Sequence, residues 1–383
     1  MKQNKQNPNN INPPVSPWKS RTRLNKAGDA ARKDQMTEDD EIIIESWRAS
    51  HKAVLNTFHA LLRKRVEKLG ITVTVATRHK RKNTIFDKLK RIKDMELSRM
   101  DDIAGCRLIF KSIHDLEKFR EDMHSKSKFN HTLVKEKDKY DYIKKPKSTG
   151  YRGIHDIYKY EANSDQGRKI KGLYVEIQYR TLVQHAWATA VEVIGQVTQN
   201  QPKFERGDPR HREAMSLASE ILARAHENKT GPHPNKTNKE ILDEFKKIDD
   251  EINIMKTLRS LHASRIKDIL SKSIRKEVFN KTNMLLILSE EMELEIEQKL
   301  NSNPLKRLFE LERNMPNKDI VLVGSSAYND VETAFRNYFL DATDFLSLME
   351  SAIKTLKNKN ENGGLPYEKY TFPLATLRSP RRP

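Results

Sequence analysis

The sequence predicts a mixed α+β fold, because segments with helical spacing of apolar residues alternate with short strand-like runs. A long amphipathic helix is expected after Thr37, where acidic residues follow a capping threonine. From about residue 71 the pattern changes to short β-type runs. Further strand-like and helical segments follow a turn-rich stretch at 227–238. We therefore expect a mixed β-sheet flanked by helices, plus a smaller C-terminal α/β domain.

The strand-like runs of the first part of the chain are ITVTVA at 71, CRLIF at 106–110, HTLVKE at 131–136, IHDIYKY at 154–160 and LYVEIQY at 173–179. Helices are predicted from Thr181 to Val197 and over REAMSLASEILARAHE. After 238, we expect a long polar helix to about residue 272. It is followed by MLLILS, by DIVLVG at 319–324 and by an aromatic helix with Phe335, Tyr338 and Phe339.

These patterns divide the chain into parts. We expect a disordered basic tail over 1–36, in which SRTRLNKAGDAARK is short-helical, and a main domain over 37–226. The remaining parts are a linker at 227–238, an accessory domain at 239–360 and a flexible tail at 361–383.

The formal net charge of +19 over 383 residues predicts a polyanionic partner such as nucleotide phosphates, RNA or DNA, because a basic surface attracts phosphate. Cys106 is the single cysteine, which excludes an internal disulfide and a cysteine-rich zinc site and suits a reducing compartment. The first residues contain no apolar signal region, and no apolar run reaches the roughly 18 residues of a membrane helix. We therefore expect a cytoplasmic protein without a membrane partner.

The first candidate binding segment is the basic run from Arg78 to Arg91, which follows a strand and enters a helix. Arginine presents a fork of donors that matches phosphate oxygens, lysine presents a point charge, and a helix N-terminus adds free amides. The run can therefore grip a triphosphate, although a basic run by itself is more often a solvated surface.

Asp101 and Asp102 form the second candidate, directly before the apolar strand that contains Arg107. Mg²⁺ is commonly held by one or two carboxylates together with substrate phosphate oxygens, so one well-placed aspartate suffices. The alternative is a turn, in which aspartate is common.

The third candidate is the loop DYIKKPKSTGYRGIH at 141–155, which contains Lys145, Lys147 and Tyr151. Its lysines can bind phosphate and Tyr151 can stack on a base. A solvated hairpin with a packed tyrosine explains the same sequence equally well.

Two His-Asp pairs, His114-Asp115 and His155-Asp156, are also typical of metal phosphohydrolases. Isolated pairs on helical or strand-like patterns are far more often structural. We therefore expect no hydrolase chemistry from them.

The fourth candidate is the strand-like segment EIQYRT at 176–181, with His185 shortly after it. In a strand, Glu176, Gln178 and Arg180 lie on one face, because side chains alternate with a period of two. Burying these groups unpaired would be costly, which favours a site, with a structural salt-bridge ladder as the alternative.

Taken in order, the four segments resemble the nucleotidyltransferase domain of RelA/SpoT proteins, the synthetase of the alarmones ppGpp and pppGpp. The resemblance spans about residues 40–225 and rests on RxK, DIAGCR, DYIKKPKSTGYRGIH and EIQYRT followed by a histidine. It implies a pyrophosphokinase that moves the β,γ-diphosphate of ATP to a ribose 3′-hydroxyl, with Mg²⁺ as cofactor and AMP as second product.

The resemblance also implies a role for each matching residue. Asp102 and Glu176 would be catalytic and would hold Mg²⁺, with Glu176 as general base on the acceptor hydroxyl. ATP would be bound by Arg78, Lys80, Lys88 and Arg107. The acceptor would be bound by Lys145, Lys147, Tyr151, His155, Gln178, Arg180 and His185, with Tyr151 stacked on its base.

The chain departs from the larger members of this family. Bifunctional members carry an upstream HD hydrolase domain, whereas here only 77 residues precede Arg78, so we do not expect hydrolysis. Long ribosome-associated members carry several C-terminal regulatory domains, for which the chain is too short. It therefore resembles a compact synthetase.

The segment QHAWATAVE at 184–192 resembles the toxic branch of small synthetases, whose acceptor is the 3′-CCA end of tRNA. In that branch a regulatory segment is sometimes fused to the toxin, and residues 240–360 are a candidate for one. Three interpretations stay open: GDP or GTP as acceptor, tRNA as acceptor in a translation-blocking toxin of phage defence, and a catalytically inactive RNA-binding regulator. Homo-oligomerisation or a protein trigger acting through the C-terminal domain is also left open.

Overall fold

The computed structural model describes residues 20–125, 130–198, 207–261, 282–289, 293–297, 303–325, 328–339 and 341–361. The disorder predicted for the first 19 residues, and the flexible tail predicted after 361, lie outside these ranges.

One eight-stranded sheet runs through the described part of the chain. Its strands are β1 (Val73–His79), β2 (Ala104–Phe110), β3 (Thr132–Leu133), β4 (Ile154–Lys159), β5 (Tyr174–Thr181), β6 (Thr282–Leu288), β7 (Leu294–Glu297) and β8 (Asp319–Ser325). Their order in the sheet is β3-β4-β5-β2-β1-β8-β6-β7. β2 and β5 pair in parallel and the other neighbours pair antiparallel, so the predicted mixed sheet is confirmed.

Helices flank this sheet, as predicted. They are α1 (Arg21–Arg32), α2 (Glu38–Leu69), α3 (Lys82–Arg91), α4 (Ile113–His124), α5 (Asp165–Lys169), α6 (Leu182–Val197), α7 (Pro209–Leu222), α8 (Asn238–Ile252), α9 (Pro304–Asn314), α10 (Tyr328–Ala334) and α11 (Thr343–Glu361). Short non-α turns lie at Leu97–Arg99, Ala223–Glu227 and Arg336–Phe339.

The long helix α2 begins and ends where the sequence indicates. Thr37 caps it in a reciprocal capping box with Asp40, and Gly70 ends it with a left-handed φ of 64°. Its apolar face, which includes Trp47 and Phe58, is buried in the main core with residues of the sheet. The predicted packing of this face on a sheet is therefore confirmed.

Helix α1 is ordered and packed. Its Leu24 and Ala27 are fully buried in the same core as α2. The short helix predicted here is confirmed, so residues 20–36 are not part of a disordered tail.

The C-terminal strands extend the sheet of the preceding part of the chain. β8 lies against β1, with Thr77 opposite Gly324 and Arg78 opposite Val323. Both predicted domains thus contribute strands to one sheet, and the division of the chain at 227–238 stays a prediction. That stretch is loop between the turn ending at Glu227 and α8.

Two details of the C-terminal half differ from the prediction. Asn253, at φ 55°, ends α8 in the left-handed conformation, so the single helix expected from 238 to about 272 is interrupted there. Phe335 and Tyr338 lie in a turn and a 3₁₀ segment after α10 rather than in one aromatic helix. Residues 262–281 lie outside the described ranges.

Among the described residues, no helix is both long and apolar enough to cross a membrane.

Candidate active site

The register of four strands brings the predicted residues to one face of the sheet. Glu176 in β5 lies opposite Gly105 in β2, and Gly105 lies opposite Arg78 in β1. His155 in β4 lies opposite Gln178 in β5. Residues that are distant in sequence therefore become neighbours on this face, which we call the site face.

The first cluster on the site face joins the predicted phosphate-binding lysines to the predicted metal ligand. Nζ of Lys80 lies 2.5 Å from Oδ2 of Asp102, and Nζ of Lys88 lies 3.0 Å from Oδ1. Lys88 also lies 3.7 Å from Asp101. Lys80 follows β1 and Lys88 lies in α3, so the strand-to-helix turn aims both ammonium groups at one carboxylate.

Burial and charge act against each other in this cluster. Burial dominates at Lys80 and, with the positive charge of Arg78, lowers its pKa although Asp102 opposes the shift. Burial also opposes the charge of Lys88, but Asp102 and Asp101 outweigh it and raise the pKa of Lys88. For Asp102 the two lysines outweigh burial, so its pKa is lowered and the carboxylate is ionised at neutral pH.

Arg78 lies between the two halves of the site face. A Cβ on Gly105 would lie 3.6 Å from Cγ of Arg78, so the arginine side chain crosses over this glycine. Its positive charge contributes to lowering the pKa of both Lys80 and Glu176. Arg78 is therefore placed to act on both clusters.

The second cluster is a hydrogen-bonded chain that ends at Glu176. The Tyr151 hydroxyl lies 2.5 Å from Nε2 of His155, and Nδ1 of His155 lies 2.8 Å from Oε1 of Glu176. Gln178 donates from Nε2 to Oε2 of Glu176 at 2.7 Å. Arg180 donates from Nε and Nη2 to the Tyr151 hydroxyl at 3.3 and 3.2 Å. Glu176, Gln178 and Arg180 therefore each have a hydrogen-bond partner in the chain of contacts, as predicted, and only Oε1 of Gln178 among these contacts is left without one in the described residues.

The residues of this second cluster shift the pKa values of one another. Burial would raise the pKa of Glu176, but the adjacent His155 outweighs it and lowers that pKa far below its usual value. Burial would lower the pKa of His155, but Tyr151 and Glu176 raise it to about 9. Burial would raise the pKa of Tyr151, but Arg180 and His155 lower it to about 7.

The predicted acceptor loop at 141–155 contributes aromatic rings and lysines beside the second cluster. Nζ of Lys147 lies 4.4 Å from the ring centre of Tyr142 and 5.5 Å from that of Tyr151. The ring centres of Tyr142 and Tyr151 are 5.7 Å apart. Lys145 is exposed on the same loop. Tyr142 was not predicted as a site residue, although it stands in the same motif.

Helix α7 holds the acceptor loop in place. Ser216 donates to the carbonyl of Ser148 at 2.8 Å, and Ser219 donates to the carbonyl of Gly150 at 2.6 Å. Gly150 has a φ of 93°, and a Cβ there would lie 2.7 Å from the Trp187 ring. No sequence signal marked the two serines, because they lie in a helix that reads as an apolar stripe.

Two predicted site residues are covered by the segment that contains α10. Arg107 donates from Nη1 to the carbonyl of Ala334, and its guanidinium carbon lies 5.3 Å from the ring centre of Phe335. Nε2 of His185 donates to the carbonyl of Thr333 at 2.7 Å. Arg107 and His185 are both buried. Arg107 lies opposite Gln178 in the sheet, so the covered residues adjoin the second cluster.

The His-Asp pairs have structural partners, as expected. Asp115 accepts from the Ser112 hydroxyl and lies in the first turn of α4. Asp156 is buried and accepts hydrogen bonds from Arg120 and His124. His155 belongs to the site, but Asp156 points to the opposite face of the sheet.

The oxygen donors of the site face fit a hard cation such as Mg²⁺. Asp102 and Glu176 offer carboxylates, and the negative charge of Glu176 acts on Asp102. Oε1 of Gln178 is buried without a hydrogen-bond partner in the described part of the chain. No group of three or more His, Cys, Asp or Glu side chains in that part is arranged to hold a metal. Mg²⁺ tolerates so few protein ligands when substrate phosphates complete its shell.

The part of the chain that contains this site is similar to known proteins. Residues 77–194 match the family described as "Region found in RelA / SpoT proteins". A stretch of 108 residues is 35% identical to GTP pyrophosphokinase YjbM of Bacillus subtilis (strain 168), covering 28% of this chain and 48% of that relative. The chain therefore spans about half the length of the curated relative that it matches.

Solved structures are similar to this chain at lower sequence identity. The small alarmone synthetase 1 of Bacillus subtilis bound to its product pppGpp is 25% identical, with a TM-score of 0.38 over 46% of this chain and 88% of that chain. A GTP pyrophosphokinase family protein from Streptococcus pneumoniae is 21% identical, with a TM-score of 0.38 over 49% and 91%. The match over 77–194 includes both clusters of the site face, so the part of the chain that carries the site is similar to the region found in RelA / SpoT proteins.

Proposed function

We propose that this chain is a cytoplasmic pyrophosphokinase that transfers the β,γ-diphosphate of ATP to a ribose 3′-hydroxyl. One observation carries the proposal: Asp102 and Glu176 lie at the same end of the parallel strands β2 and β5, beside Lys80, Lys88 and Arg78. Phosphoryl-type transfer depends mainly on positioning and on neutralising phosphate charge, and this arrangement provides cations and carboxylates together.

Lys80, Lys88 and Arg78 would bind the phosphates of ATP. Both lysines now neutralise Asp102, and phosphate oxygens would compete for their ammonium groups. Asp102 and Glu176 would then be available to hold Mg²⁺, which would neutralise phosphate charge in the transition state.

Glu176 would remove the proton from the acceptor hydroxyl. Its lowered pKa keeps the carboxylate ionised, and His155 and Gln178 fix one hydrogen bond to each of its oxygens. The acceptor oxygen would form a bond to the β-phosphorus while the bond from that phosphorus to the α,β-bridging oxygen breaks. AMP would leave with the bridging oxygen, and the proton would pass to Glu176.

Two acceptors are candidates for this reaction. The relative named GTP pyrophosphokinase favours GDP or GTP, which would give ppGpp or pppGpp. The net charge of +19 favours the 3′-CCA end of tRNA, whose modification would block aminoacylation and stop translation, as in phage defence.

Transfer of label tests the proposal directly. Purified protein is incubated with γ-labelled ATP and Mg²⁺, with GDP, GTP or deacylated tRNA in parallel reactions. Label on a guanine nucleotide identifies an alarmone synthetase, and label on tRNA identifies a translation-blocking enzyme. Glu176→Gln should abolish transfer and leave ATP binding largely intact. Normal turnover of that variant would contradict the proposed mechanism.

A catalytically inactive RNA-binding regulator is the alternative. Such a protein would transfer no label to any acceptor. EDTA separates the two functions, because it should stop transfer but should leave RNA affinity unchanged. RNA affinity that depends on phosphate contacts would instead fall steeply with salt.

We also propose that the C-terminal part of the chain restrains the enzyme and is the part on which a protein trigger would act. The contacts of Arg107 with Ala334 and Phe335, and of His185 with Thr333, support this role. They engage two residues that the family resemblance assigns to substrates. Release of this segment would expose Arg107 to ATP.

A further inference from the structure

Tyr151 and Glu176 are joined by one imidazole ring. Nε2 of His155 is hydrogen-bonded to the Tyr151 hydroxyl at 2.5 Å, and Nδ1 lies 2.8 Å from Oε1 of Glu176. Tyr151 is expected to contact the base of the acceptor, and Glu176 is expected to contact the ribose hydroxyl of the acceptor. Only two hydrogen bonds separate these two residues.

The series of hydrogen bonds from Tyr151 through His155 to Glu176 is held by a further residue at each end. Arg180 donates two hydrogen bonds to the Tyr151 hydroxyl, and Gln178 holds the second oxygen of Glu176. His155 lies in β4 directly opposite Gln178, so the backbone register fixes the position of the ring between its partners. The side chains of His155 and Glu176 are 18% and 12% exposed, so water competes little for these contacts.

The two tasks of Tyr151 use different parts of the side chain. A base stacks on the face of an aromatic ring, whereas the hydroxyl bonds in the ring plane. Stacking therefore leaves the contact with His155 intact. A base that holds the Tyr151 ring still would also hold His155, and through it the orientation of the carboxylate.

We propose that Tyr151 is a positioning residue, which acts through His155 to orient Glu176 toward the acceptor hydroxyl when a base stacks on its ring. The inference rests on the proposed function and deepens it. Binding of an acceptor with a planar base then assembles the proton-accepting geometry. Misplacement of a reacting group by about 1 Å can cost on the order of 100-fold in rate, so this coupling is large enough to select substrates.

Tyr151→Phe separates positioning from stacking, because it keeps the ring and removes the hydroxyl. We expect kcat to fall about 10-fold or more, while the KM for the acceptor changes less than about threefold. Tyr151→Ala should also raise the acceptor KM, since the stacking surface is lost. The control is Tyr174→Phe, which removes a hydroxyl from the first residue of β5 and should change neither constant. Unchanged kcat in Tyr151→Phe, or a rise in KM equal to that of Tyr151→Ala, would overturn the proposal.

A double-mutant cycle tests whether the effect passes through His155. His155→Asn keeps an amide near the position of Nδ1, toward Glu176, and loses the contact with Tyr151. In the His155→Asn background, Tyr151→Phe should reduce kcat no further, because the connection is already broken. Multiplicative losses of kcat would instead show that Tyr151 acts by a separate route.

A readout without turnover keeps this inference distinct from the proposed function. If the wild-type protein transfers no label, the proposed function fails, whatever the variants do. The coupling from Tyr151 to Glu176 is then tested by amide hydrogen exchange over 150–156. Exchange there should accelerate in both Tyr151→Phe and Glu176→Ala relative to Tyr174→Phe. Exchange equal to that of the control in both variants would overturn the coupling.

Discussion

Arg107 in β2 donates a hydrogen bond to the backbone carbonyl of Ala334, and its guanidinium carbon lies 5.3 Å from the ring centre of Phe335. Burial, with the positive charges of Arg180 and Arg78, lowers the pKa of Arg107 to about 9. The C-terminal segment thus holds a cation that the family resemblance assigns to ATP. A test of restraint by this segment should therefore begin at Phe335.

Phe335→Ala should increase the apparent affinity for ATP. The substitution removes a desolvated cation–π contact, which is worth up to about 2 kcal/mol. Because about 1.4 kcal/mol corresponds to a factor of ten, we expect the KM for ATP to fall about 3- to 10-fold. The measurement is initial rate against ATP concentration at saturating acceptor.

Phe345→Ala is the matched control, because Phe345 is buried among α6, α7 and α8 residues away from Arg107. It should cost stability without lowering the KM for ATP. An equal fall in both variants would assign the effect to general loosening of the C-terminal part, and an unchanged KM in Phe335→Ala would contradict restraint at Arg107.

Lys80→Ala should weaken ATP binding. A hydrogen bond to a charged group contributes about 1.5 to 3 kcal/mol, which corresponds to a rise in the ATP dissociation constant of about 10- to 150-fold. Calorimetric titration with a non-hydrolysable ATP analogue measures this change without turnover. Lys90→Ala is the control, since Lys90 lies in α3, the helix that follows Lys80, but pairs with Asp34. The assignment fails if Lys90→Ala weakens binding as much as Lys80→Ala.

The strand pattern of the sequence predicted much of the site. The alternation of Glu176, Gln178 and Arg180 with apolar residues put the polar groups on one face, and Val175 and Ile177 are fully buried on the other. This was predictable because the period of a strand is local. The partnership of Lys80 with Asp102 spans only 22 residues of sequence and follows from two adjacent antiparallel strands.

Contacts between distant segments were not predictable in the same way. Nothing in the sequence near Ser219 indicates that its hydroxyl holds the carbonyl of Gly150, 69 positions earlier. The pairing of β8 with β1 was missed for a similar reason, because a short apolar strand reads the same in a separate domain as in a shared sheet. Coverage of Arg107 by Phe335 follows from that pairing, so it too required the structure.

Glu312→Ala should destabilise the fold strongly. Glu312 accepts hydrogen bonds of 2.7 and 3.0 Å from Arg48, whose side chain is 0% exposed. Removing one partner of a buried ion pair leaves an uncompensated charge and costs about 3 to 5 kcal/mol. Thermal and urea unfolding measure the loss. Glu310→Ala, on the same helix and more exposed, should cost less than about 1 kcal/mol.

The double variant Arg48→Met/Glu312→Leu refines that prediction. Replacing both members of a buried pair by apolar residues of similar size is often neutral or stabilising. We therefore expect the double variant to be more stable than Glu312→Ala. Equal instability would mean that Arg48 contributes through its packing on Phe309, which lies 4.9 Å from the guanidinium carbon, rather than through its charge.

Asp156 should make the stability of the fold depend on pH in the acid range. Its carboxylate faces Arg120, His124 and Tyr179, and although burial opposes ionisation, its bonds to His124 and Arg120 lower its pKa. A lowered pKa contributes stability that is present above the unfolded value of about 3.9 and is lost as the pH falls below it. At pH 7, Asp156→Asn should cost about 2 to 3 kcal/mol, less than a fully broken buried pair, because Asp138 still bonds Arg120.

The difference between wild type and Asp156→Asn is measured by urea unfolding at pH 7 and at pH 3.5. It should be larger at pH 7, because protonation of Asp156 in the unfolded wild-type chain removes part of the advantage in acid. The control is Asp165→Asn, at the exposed start of α5, whose stability should follow that of the wild type at both values. A difference that stays constant between the two pH values would mean that Asp156 stabilises the sheet through shape and hydrogen bonding alone, without its charge.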